Sequence, residues 1–194
     1  MLAVTGYRSK IVQELRQLLP PEEEVLSWDR DMVPRSCERY LFCAGVLRPK
    51  TIWEQSDEET NESFFVNCVQ VMRMCDGLLR DVDKARIVVM GSESGFTWSY
   101  DGAYAASKAA LHRYVETKKL KPQQQLVCVA PSIIEDCGMT LRREDKENLE
   151  RRRNENPKRR FLTAIEVARV IHFLLYVDQG YISGQVIRVN GGPA

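Results

Sequence analysis

Short apolar runs alternate along this chain with longer segments of helical periodicity. Six of the runs have the length of single strands, MLAVTG, EEVLSWD, RYLFCAG, RIVVMGS, QLVCVAPS and GQVIRVNGG. Between them, apolar residues recur at helical spacing, and Pro20 and Pro21 end the first helix. The alternation predicts βαβ units and an α/β fold with a mostly parallel sheet of about six strands. The length of 194 residues fits one domain, 1–194.

The predicted helix at 58–82 is apolar around nearly its whole circumference, whereas a helix lying on a sheet needs only one apolar stripe. Its surplus face must be covered, either by the segment at 135–160 or by another subunit. We favour a subunit interface, and therefore expect a homo-oligomer formed through the helices at 58–82 and 103–120.

The segment at 135–160 is dense in charges of both signs. Its middle is compatible with an exposed helix, and the charges alone favour a solvated surface segment. The alternative is a flap over a substrate site, because long insertions in compact α/β domains are often functional. Its basic runs are interleaved with acidic residues and lack aromatic neighbours, so we expect no nucleic acid partner.

Charge and composition exclude several classes of function. The net charge of +1 provides no global attraction for nucleic acid or an anionic membrane. No apolar run approaches the roughly 20 residues of a membrane span, and the first residues lack the features of a signal peptide. The expected location is therefore the cytoplasm, with a small molecule as the partner.

The cysteines and histidines do not form a recognisable site. The six cysteines include no CxxC pair, and no histidine stands at metal-ligand spacing from them. Four of them lie in apolar stretches, which favours buried structural thiols. We expect no metal site, and we assign His112 and His172 to a helix surface or to the core.

Polar or small residues follow each of the first five strands. In parallel α/β sheets, ligands bind at the carboxyl ends of the strands. The residues at these ends are Gly6, Asp29, Ala44 with Gly45, Ser92, and Pro131 with Ser132.

Tyr104 and Lys108 stand four residues apart and therefore share one face of the predicted helix at 103–120. An ammonium near a phenol is expected to lower the phenol's pKa from its usual value of about 10. Such a tyrosine can exchange a proton with a carbinol oxygen that Ser92 holds by a hydrogen bond. A tyrosine and a lysine at this spacing also occur by chance, so the pair needs support from its surroundings.

That support comes from motifs that resemble the short-chain dehydrogenase/reductase family over nearly the entire chain. They are VTG at 4–6, CAGVL at 43–47, FFVN at 64–67, VVMGSESG at 88–95, YAASKAAL at 104–111 and ISGQVIRVNGG at 182–192. The resemblance implies a Rossmann-like, doubly wound fold. It also implies an NAD(P)-dependent oxidoreductase that transfers a hydride between nicotinamide and a carbonyl or secondary alcohol.

The resemblance also implies roles for individual residues. Tyr104 would be the acid/base, Ser92 would bind the reacting oxygen, and Lys108 would lower the tyrosine's pKa and hold the nicotinamide ribose. Asn67 would order a water that links the lysine to solvent. The cofactor would further contact Gly6, Arg8, Ser9, Lys10, Ile11, Asp29, Arg30, Ala44, Gly45, Pro131 and Ile134.

The glycine loop departs from the family's pattern T-G-x-x-x-G-x-G. Only Gly6 remains, while Lys10 and Val12 occupy the positions of the second and third glycines, which normally allow close approach to pyrophosphate and tight helix packing. The loop must therefore carry side chains where the backbone would come close. Arg8 and Lys10 would either compensate with charge or obstruct the nucleotide.

The adenine side is also shortened, since Ala44 stands only 38 positions after Gly6. Asp29 stands where an acid would accept hydrogen bonds from the hydroxyls of the adenosine ribose and so favour NAD. Arg30 follows at once, where the family often binds the 2′-phosphate of NADP. We favour NAD, because the charge of Asp29 would repel that phosphate.

Two hypotheses of function remain open. The first is the oxidoreductase, supported by the set of Asn67, Ser92, Tyr104 and Lys108. The second is a binding or scaffold protein that keeps the fold but is catalytically impaired, supported by the altered glycine loop. The substrate pocket is expected to be partly apolar, with Trp98, Tyr100, Ile133 and Met139 in its lining.

Overall fold

A computed structural model of the chain describes residues 1–28, 33–97 and 99–192. Its sheet has six strands, all parallel, in the order β2-β1-β3-β4-β5-β6. The strands are β1 (Leu2–Thr5), β2 (Val25–Ser27), β3 (Arg39–Phe42), β4 (Arg86–Met90), β5 (Gln125–Pro131) and β6 (Gln185–Val189). The prediction of a parallel sheet of about six strands is confirmed.

Helices cover both faces of the sheet. They are α1 (Lys10–Leu18), α2 (Asp57–Phe64), α3 (Gln70–Asp81), α4 (Gly102–Thr117), α5 (Gly138–Leu141), α6 (Lys146–Glu155) and α7 (Ala164–His172). A π-helical turn at Phe65–Val69 joins α2 to α3, and a second one at Phe173–Val177 follows α7. The predicted helix at 58–82 is thus one helical run with a π-helical turn inside it, a feature often found at functional sites.

Two hydrophobic cores form because successive strand residues point to opposite faces of the sheet. In β1, Leu2 and Val4 join the core under α1 and α7, whereas Ala3 joins the core under α3 and α4. The central strand β5 is buried along its whole length. Burial on both faces explains why the strands are nearly continuous apolar runs rather than alternating ones.

The chain crosses from one half of the sheet to the other between β1 and β3. These two strands are neighbours, and Thr5 pairs with Phe42 at their carboxyl ends. In open α/β sheets, ligands bind in the crevice at such a switch point. The loops after β1 and β3 therefore meet where a site is expected.

The segment at 135–160 contains α5 and α6 and is mostly exposed. Cys137, near its start, packs against the core under α1 and α7, on the opposite side of the sheet from α3. Phe65, in the π-helical turn of the 58–82 helix, is 40% exposed, and what covers the apolar surface of that helix stays a prediction. Among the residues described, no helix is both long and apolar enough to cross a membrane.

Candidate active site

The helix that carries the tyrosine and the lysine begins at a capping aspartate. The Asp101 carboxylate accepts a hydrogen bond from the Tyr104 backbone N–H at 2.9 Å, and this N-cap starts α4. Tyr104 and Lys108 then lie on one buried face of the helix, with 7% and 3% of their surfaces exposed. The structure therefore brings the two residues together as the spacing predicts.

Lys108 reaches across to the end of β4. Its ammonium Nζ donates a hydrogen bond to the Met90 carbonyl at 2.6 Å and lies 5.8 Å from the centre of the Tyr104 ring. Burial lowers the pKa of Lys108 because desolvation penalises the charged form. The ammonium is thus held by the sheet rather than placed directly against the phenol oxygen.

The Tyr104 phenol has a raised pKa, opposite in direction to the sequence expectation. Burial is the main cause, and the neighbouring Ser92 hydroxyl lowers the pKa only in part. Removing the phenolate from water favours the neutral phenol, so the pKa does not fall as the spacing of Tyr104 and Lys108 predicts. The phenol is therefore neutral near pH 7 and is poised to donate a proton.

Ser92 lies directly after β4, in a tight turn that its own hydroxyl stabilises. The Ser92 Oγ accepts a hydrogen bond from the Ser94 N–H at 3.2 Å and caps the short 3₁₀ turn Glu93–Gly95. Its backbone N–H donates to Nε2 of His112 at 3.4 Å. The turn and the imidazole together hold Ser92 beside Tyr104.

His112 fills a space that two glycines leave open behind Ser92. A Cβ atom on Gly91 would lie 2.5 Å from the His112 Nε2, and one on Gly95 would lie 2.8 Å from Nδ1. The Phe96 ring packs on the imidazole at a centroid distance of 4.6 Å. Burial, and secondarily the charge of Lys108, lowers the pKa of His112 to about 4. Of the two predicted places for His112, a helix surface or the core, the structure shows the core, where the residue also supports the site.

This buried histidine predicts a loss of stability in acid. An unfolded histidine takes up its proton near pH 6.5, whereas His112 in the folded protein does so near pH 4. Between these values the unfolded state binds more protons, so the free energy of unfolding falls as the pH drops. Between pH 7 and pH 4.5 we expect the wild type to lose about 2 kcal/mol more than His112→Gln, which keeps an acceptor and does not titrate.

Urea unfolding of both proteins at the two pH values measures this difference. Carboxylates that titrate in the same range contribute equally to both proteins and cancel in the comparison. An identical pH dependence for wild type and His112→Gln would show that His112 is protonated normally in the folded state.

Asn67 lies in the π-helical turn that joins α2 to α3. Its side-chain amide clamps the backbone of Val46, with Oδ1 accepting from the Val46 N–H at 2.9 Å and Nδ2 donating to the Val46 carbonyl at 2.8 Å. A Cβ atom on Gly45 would lie 3.1 Å from this Oδ1 and 3.8 Å from the Lys108 Nζ. Asn67 therefore positions the loop after β3 beside Lys108, and its role in ordering a water stays a prediction.

The loop after β1 keeps the tight turn of a glycine loop at Gly6. Gly6 has a φ of +67°, and a Cβ atom there would lie 2.7 Å from the Ala44 backbone nitrogen. Ser9 caps α1 by accepting from the Val12 N–H at 3.2 Å, and its hydroxyl lies 3.3 Å from the Cys43 sulfur. The backbones of the loops after β1 and β3 thus touch at the switch point.

The side chains that replace the other two glycines have partners within α1 and in the core. Lys10 forms an ion pair with Glu14 at 2.6 Å, one helical turn further along α1. Val12 is fully buried in the core under α1 and α7. Lys10 is thus engaged within α1 and Val12 within the core, and the two alternatives for the loop, compensation by charge or obstruction of the nucleotide, stay predictions.

Part of the 135–160 segment lies close to the glycine loop and to the catalytic groups. Burial raises the pKa of the Cys137 thiol to about 11, and the nearby Ile11 amide acts against this rise. The Met139 methyl group lies 4.0 Å from the position of a Cβ atom on Gly45. The start of the segment therefore borders the site, as the flap hypothesis requires.

The remaining expected cofactor contacts differ in how exposed they are. Arg8, Ala44 and Gly45 are exposed, whereas Pro131 is buried at the end of β5. The side chains of Ile11 and Ile134 lie in the core, so that only their backbones are available to a ligand. Asp29 and Arg30 lie outside the described residues, as does Trp98 of the expected substrate pocket.

The role of Asp101 was not predicted from the sequence. The aspartate stands immediately before the predicted helix, where a capping residue is expected, and this signal was present in the sequence. The bonds of the same carboxylate to the Arg48 N–H and the Gln55 side chain had no local signal, because these partners are 53 and 46 residues away.

The nicotinamide dinucleotide implied by the resemblance fits this site at its catalytic end. Within the described chain, the buried Lys108 ammonium makes one hydrogen bond and no ion pair, so two of its N–H groups are available to the hydroxyls of a guest. The turn at Gly6 beside the exposed Ala44 and Gly45 leaves the strand ends open. The residues present are therefore compatible with the group.

Comparison with known proteins identifies similar sequences. A family model described as enoyl-(acyl carrier protein) reductase matches residues 38–193. The 3-oxoacyl-[acyl-carrier-protein] reductase FabG of Aquifex aeolicus is 34% identical over 157 residues, which are 77% of this chain and 62% of that protein. The FabG of Escherichia coli is 29% identical over 157 residues, covering 77% of this chain and 63% of the relative. The chain thus spans less than two thirds of the length of these relatives.

Solved structures show the same architecture. The structure of a short-chain dehydrogenase family protein from Francisella tularensis aligns with 98% of this chain and 97% of its own, with a TM-score of 0.84 and 20% identity. At that identity the likeness concerns the fold. The matched region of the family model begins after the glycine loop and after Asp29, which agrees with the unusual sequence of that loop.

Proposed function

This chain belongs to the short-chain dehydrogenase/reductase family, and from that premise we propose that it is a nicotinamide-dependent oxidoreductase that reduces a carbonyl group. The observation that carries the proposal is the buried face of α4, where Tyr104 lies between Ser92 and Lys108. Three polar groups on a buried face at the ends of the strands are unnecessary for the core and suited to proton transfer.

Each catalytic residue has a separate task in this proposal. Ser92 holds the carbonyl oxygen of the substrate by a hydrogen bond. Tyr104, a neutral phenol whose pKa is raised by burial, donates a proton to that oxygen as negative charge develops on it. The Lys108 ammonium favours the phenolate that remains, so the lowering of the tyrosine's pKa belongs to the reaction and not to the resting site.

The cofactor would supply the hydride, and this chain's residues would hold it. Lys108 and Tyr104 would contact the ribose next to the nicotinamide. Backbone atoms around Gly6, Ser9, Ala44 and Gly45 would face the pyrophosphate and the adenosine. We propose NAD as the cofactor because Asp29 stands in the sequence where an acid would accept hydrogen bonds from the ribose hydroxyls. Lys10, which would favour NADP, is engaged by Glu14.

The substrate is proposed to be a partly apolar carbonyl compound. Met139 borders the site. Tyr100 and Leu141 are exposed, and they are close in sequence to Tyr104 and Met139, respectively. The relatives named 3-oxoacyl-[acyl-carrier-protein] reductase make 3-oxoacyl thioesters the first class of compound to test. We further propose a cytoplasmic enzyme that associates through the exposed sides of the 58–82 helix and α4.

A second candidate function is a binding or scaffold protein without efficient catalysis. Its supporting observation is the glycine loop, where two of the three glycines are replaced and a thiol, Cys137, lies near the Ile11 amide at the start of α1. A loop of this kind would weaken binding of the dinucleotide and so leave the catalytic residues without a hydride donor.

Calorimetric titration of the purified protein with NAD⁺, NADH, NADP⁺ and NADPH separates these functions. Micromolar binding of one pair is the expected result, and it would be followed by a carbonyl substrate screen that includes 3-oxoacyl thioesters. If none of the four binds at millimolar concentration, the oxidoreductase proposal fails and the scaffold function takes its place.

A further inference from the structure

Asp101 is a buried carboxylate at the edge of the active site that no part of the proposed reaction uses. It is 2% exposed and accepts three hydrogen bonds from N–H groups. Its Oδ1 accepts from the Tyr104 backbone and from the Gln55 side chain, each at 2.9 Å, and its Oδ2 accepts from the Arg48 backbone at 2.8 Å. These partners belong to two separate segments of the chain.

The charge of this carboxylate is balanced by N–H groups rather than by a cation. The guanidinium of Arg48 turns away from it, to Glu59 and Glu62. Within the described residues, Asp101 takes part in no ion pair. Burying a carboxylate is costly unless hydrogen bonds satisfy it, so all three bonds are needed to hold the charge there.

Capping a helix does not by itself require a buried carboxylate. One oxygen that accepts one N–H is enough, and serine and asparagine cap helices about as well as aspartate. At Asp101 this single bond is the one to Tyr104. The bonds to Arg48 and Gln55 exceed the needs of the cap and join the helix to the loop at 46–55.

The loop at 46–55 is held at its other end by Asn67, which is predicted to complete the catalytic set. Asn67 clamps Val46 through both polar atoms of its amide. Asp101 holds the same loop two residues further on, at the Arg48 N–H, and again at Gln55. The loop thus connects the amide of Asn67 to the first turn of the helix that carries Tyr104.

We propose that Asp101 is a positioning residue whose carboxylate locks the loop at 46–55 onto the first turn of α4 and thereby fixes Tyr104 relative to Asn67. Its contribution to catalysis rests on the proposed function. The lock itself is a property of the fold and can be measured without a substrate.

Two substitutions separate the lock from the helix cap. Asp101→Ser and Asp101→Asn both keep an acceptor for the Tyr104 N–H, but serine has no second oxygen for the Arg48 N–H, and asparagine can present a donor there. We expect amide hydrogen exchange across 46–55 to become at least about tenfold faster in both variants. We expect kcat to fall by about 10- to 100-fold, because a misplaced acid loses its alignment with the substrate oxygen.

Thr163→Ala is the matched control. Thr163 caps α7 through a capping box with Glu166, far along the chain from the loop at 46–55. Its loss should lower the melting temperature, while exchange across 46–55 and kcat stay within about twofold of the wild type.

Each outcome decides the proposal. Faster loop exchange together with a lower kcat in both Asp101 variants supports it. Exchange at the wild-type rate in both variants would show that Asp101 does not lock the loop. Faster exchange with an unchanged kcat would show that the lock does not position Tyr104 for catalysis. If the wild type reduces no carbonyl compound, the proposed function fails, and loop exchange still decides whether the lock exists.

Discussion

Replacing Tyr104 with phenylalanine is expected to lower kcat by about 10³-fold, which corresponds to about 4 kcal/mol of transition-state stabilisation. The substitution removes only the hydroxyl, which is the proton donor, and leaves the ring in its buried place on α4. Affinity for the cofactor should change little, because Lys108 and the backbone around Gly6 remain. Steady-state kinetics and calorimetry on the same preparation measure the two quantities.

Tyr114→Phe provides a matched control on the same helix. The Tyr114 hydroxyl also takes part in a hydrogen bond, but its partner is Asp76 on α3, away from the site. The loss of this hydroxyl should leave kcat within about twofold of the wild type. Turnover by Tyr104→Phe at the rate of Tyr114→Phe would contradict proton transfer by Tyr104.

Replacing Gly6 with alanine is expected to destabilise the protein by about 3 kcal/mol. Two effects add at this position. The φ of +67° is unfavourable for alanine, and the new Cβ would lie 2.7 Å from the backbone nitrogen of Ala44. A backbone atom cannot rotate away as a side chain can, so the loop after β1 or the loop after β3 must shift. Urea unfolding measures the change, and a melting temperature about 9 °C lower should accompany it.

Gly180→Ala separates the two effects. Gly180 has a similar φ of +84°, but no atom lies within 4 Å of the position of its Cβ. The control should therefore lose about 1 kcal/mol, the cost of the backbone conformation alone. If Gly6→Ala loses no more than Gly180→Ala, the close contact between the two loops does not exist in solution.

The sequence was sufficient for features that depend on local periodicity. Strand-length apolar runs separated by helical segments predicted the parallel α/β sheet, because residue spacing alone determines which faces of an element are apolar. The ends of the strands could be located in the same way, and with them the loops at Gly6, Ala44 and Ser92. The ion pair of Lys10 with Glu14 was also predictable in principle, since residues four apart on a helix are neighbours.

The direction of the Tyr104 pKa could not be predicted from the spacing of Tyr104 and Lys108. Spacing shows that two residues are neighbours, but the pKa of a phenol depends on how much water surrounds it. Burial of Tyr104 results from packing of α4 against strands that are distant in sequence. The lysine's bond to Met90, 18 residues away, likewise follows from that packing.

The sequence by itself thus determined the elements, their parallel order and the edge of the sheet where a site lies, because these follow from patterns within short windows of the chain. Only the tertiary structure decided the clamp of Asn67 on Val46, the support of Ser92 by His112 and the link of Asp101 to the loop at 46–55. These contacts join residues 20 to 53 positions apart. A hydrogen bond over that distance forms only after the sheet and its helices have brought the two backbones together, and no local pattern encodes it.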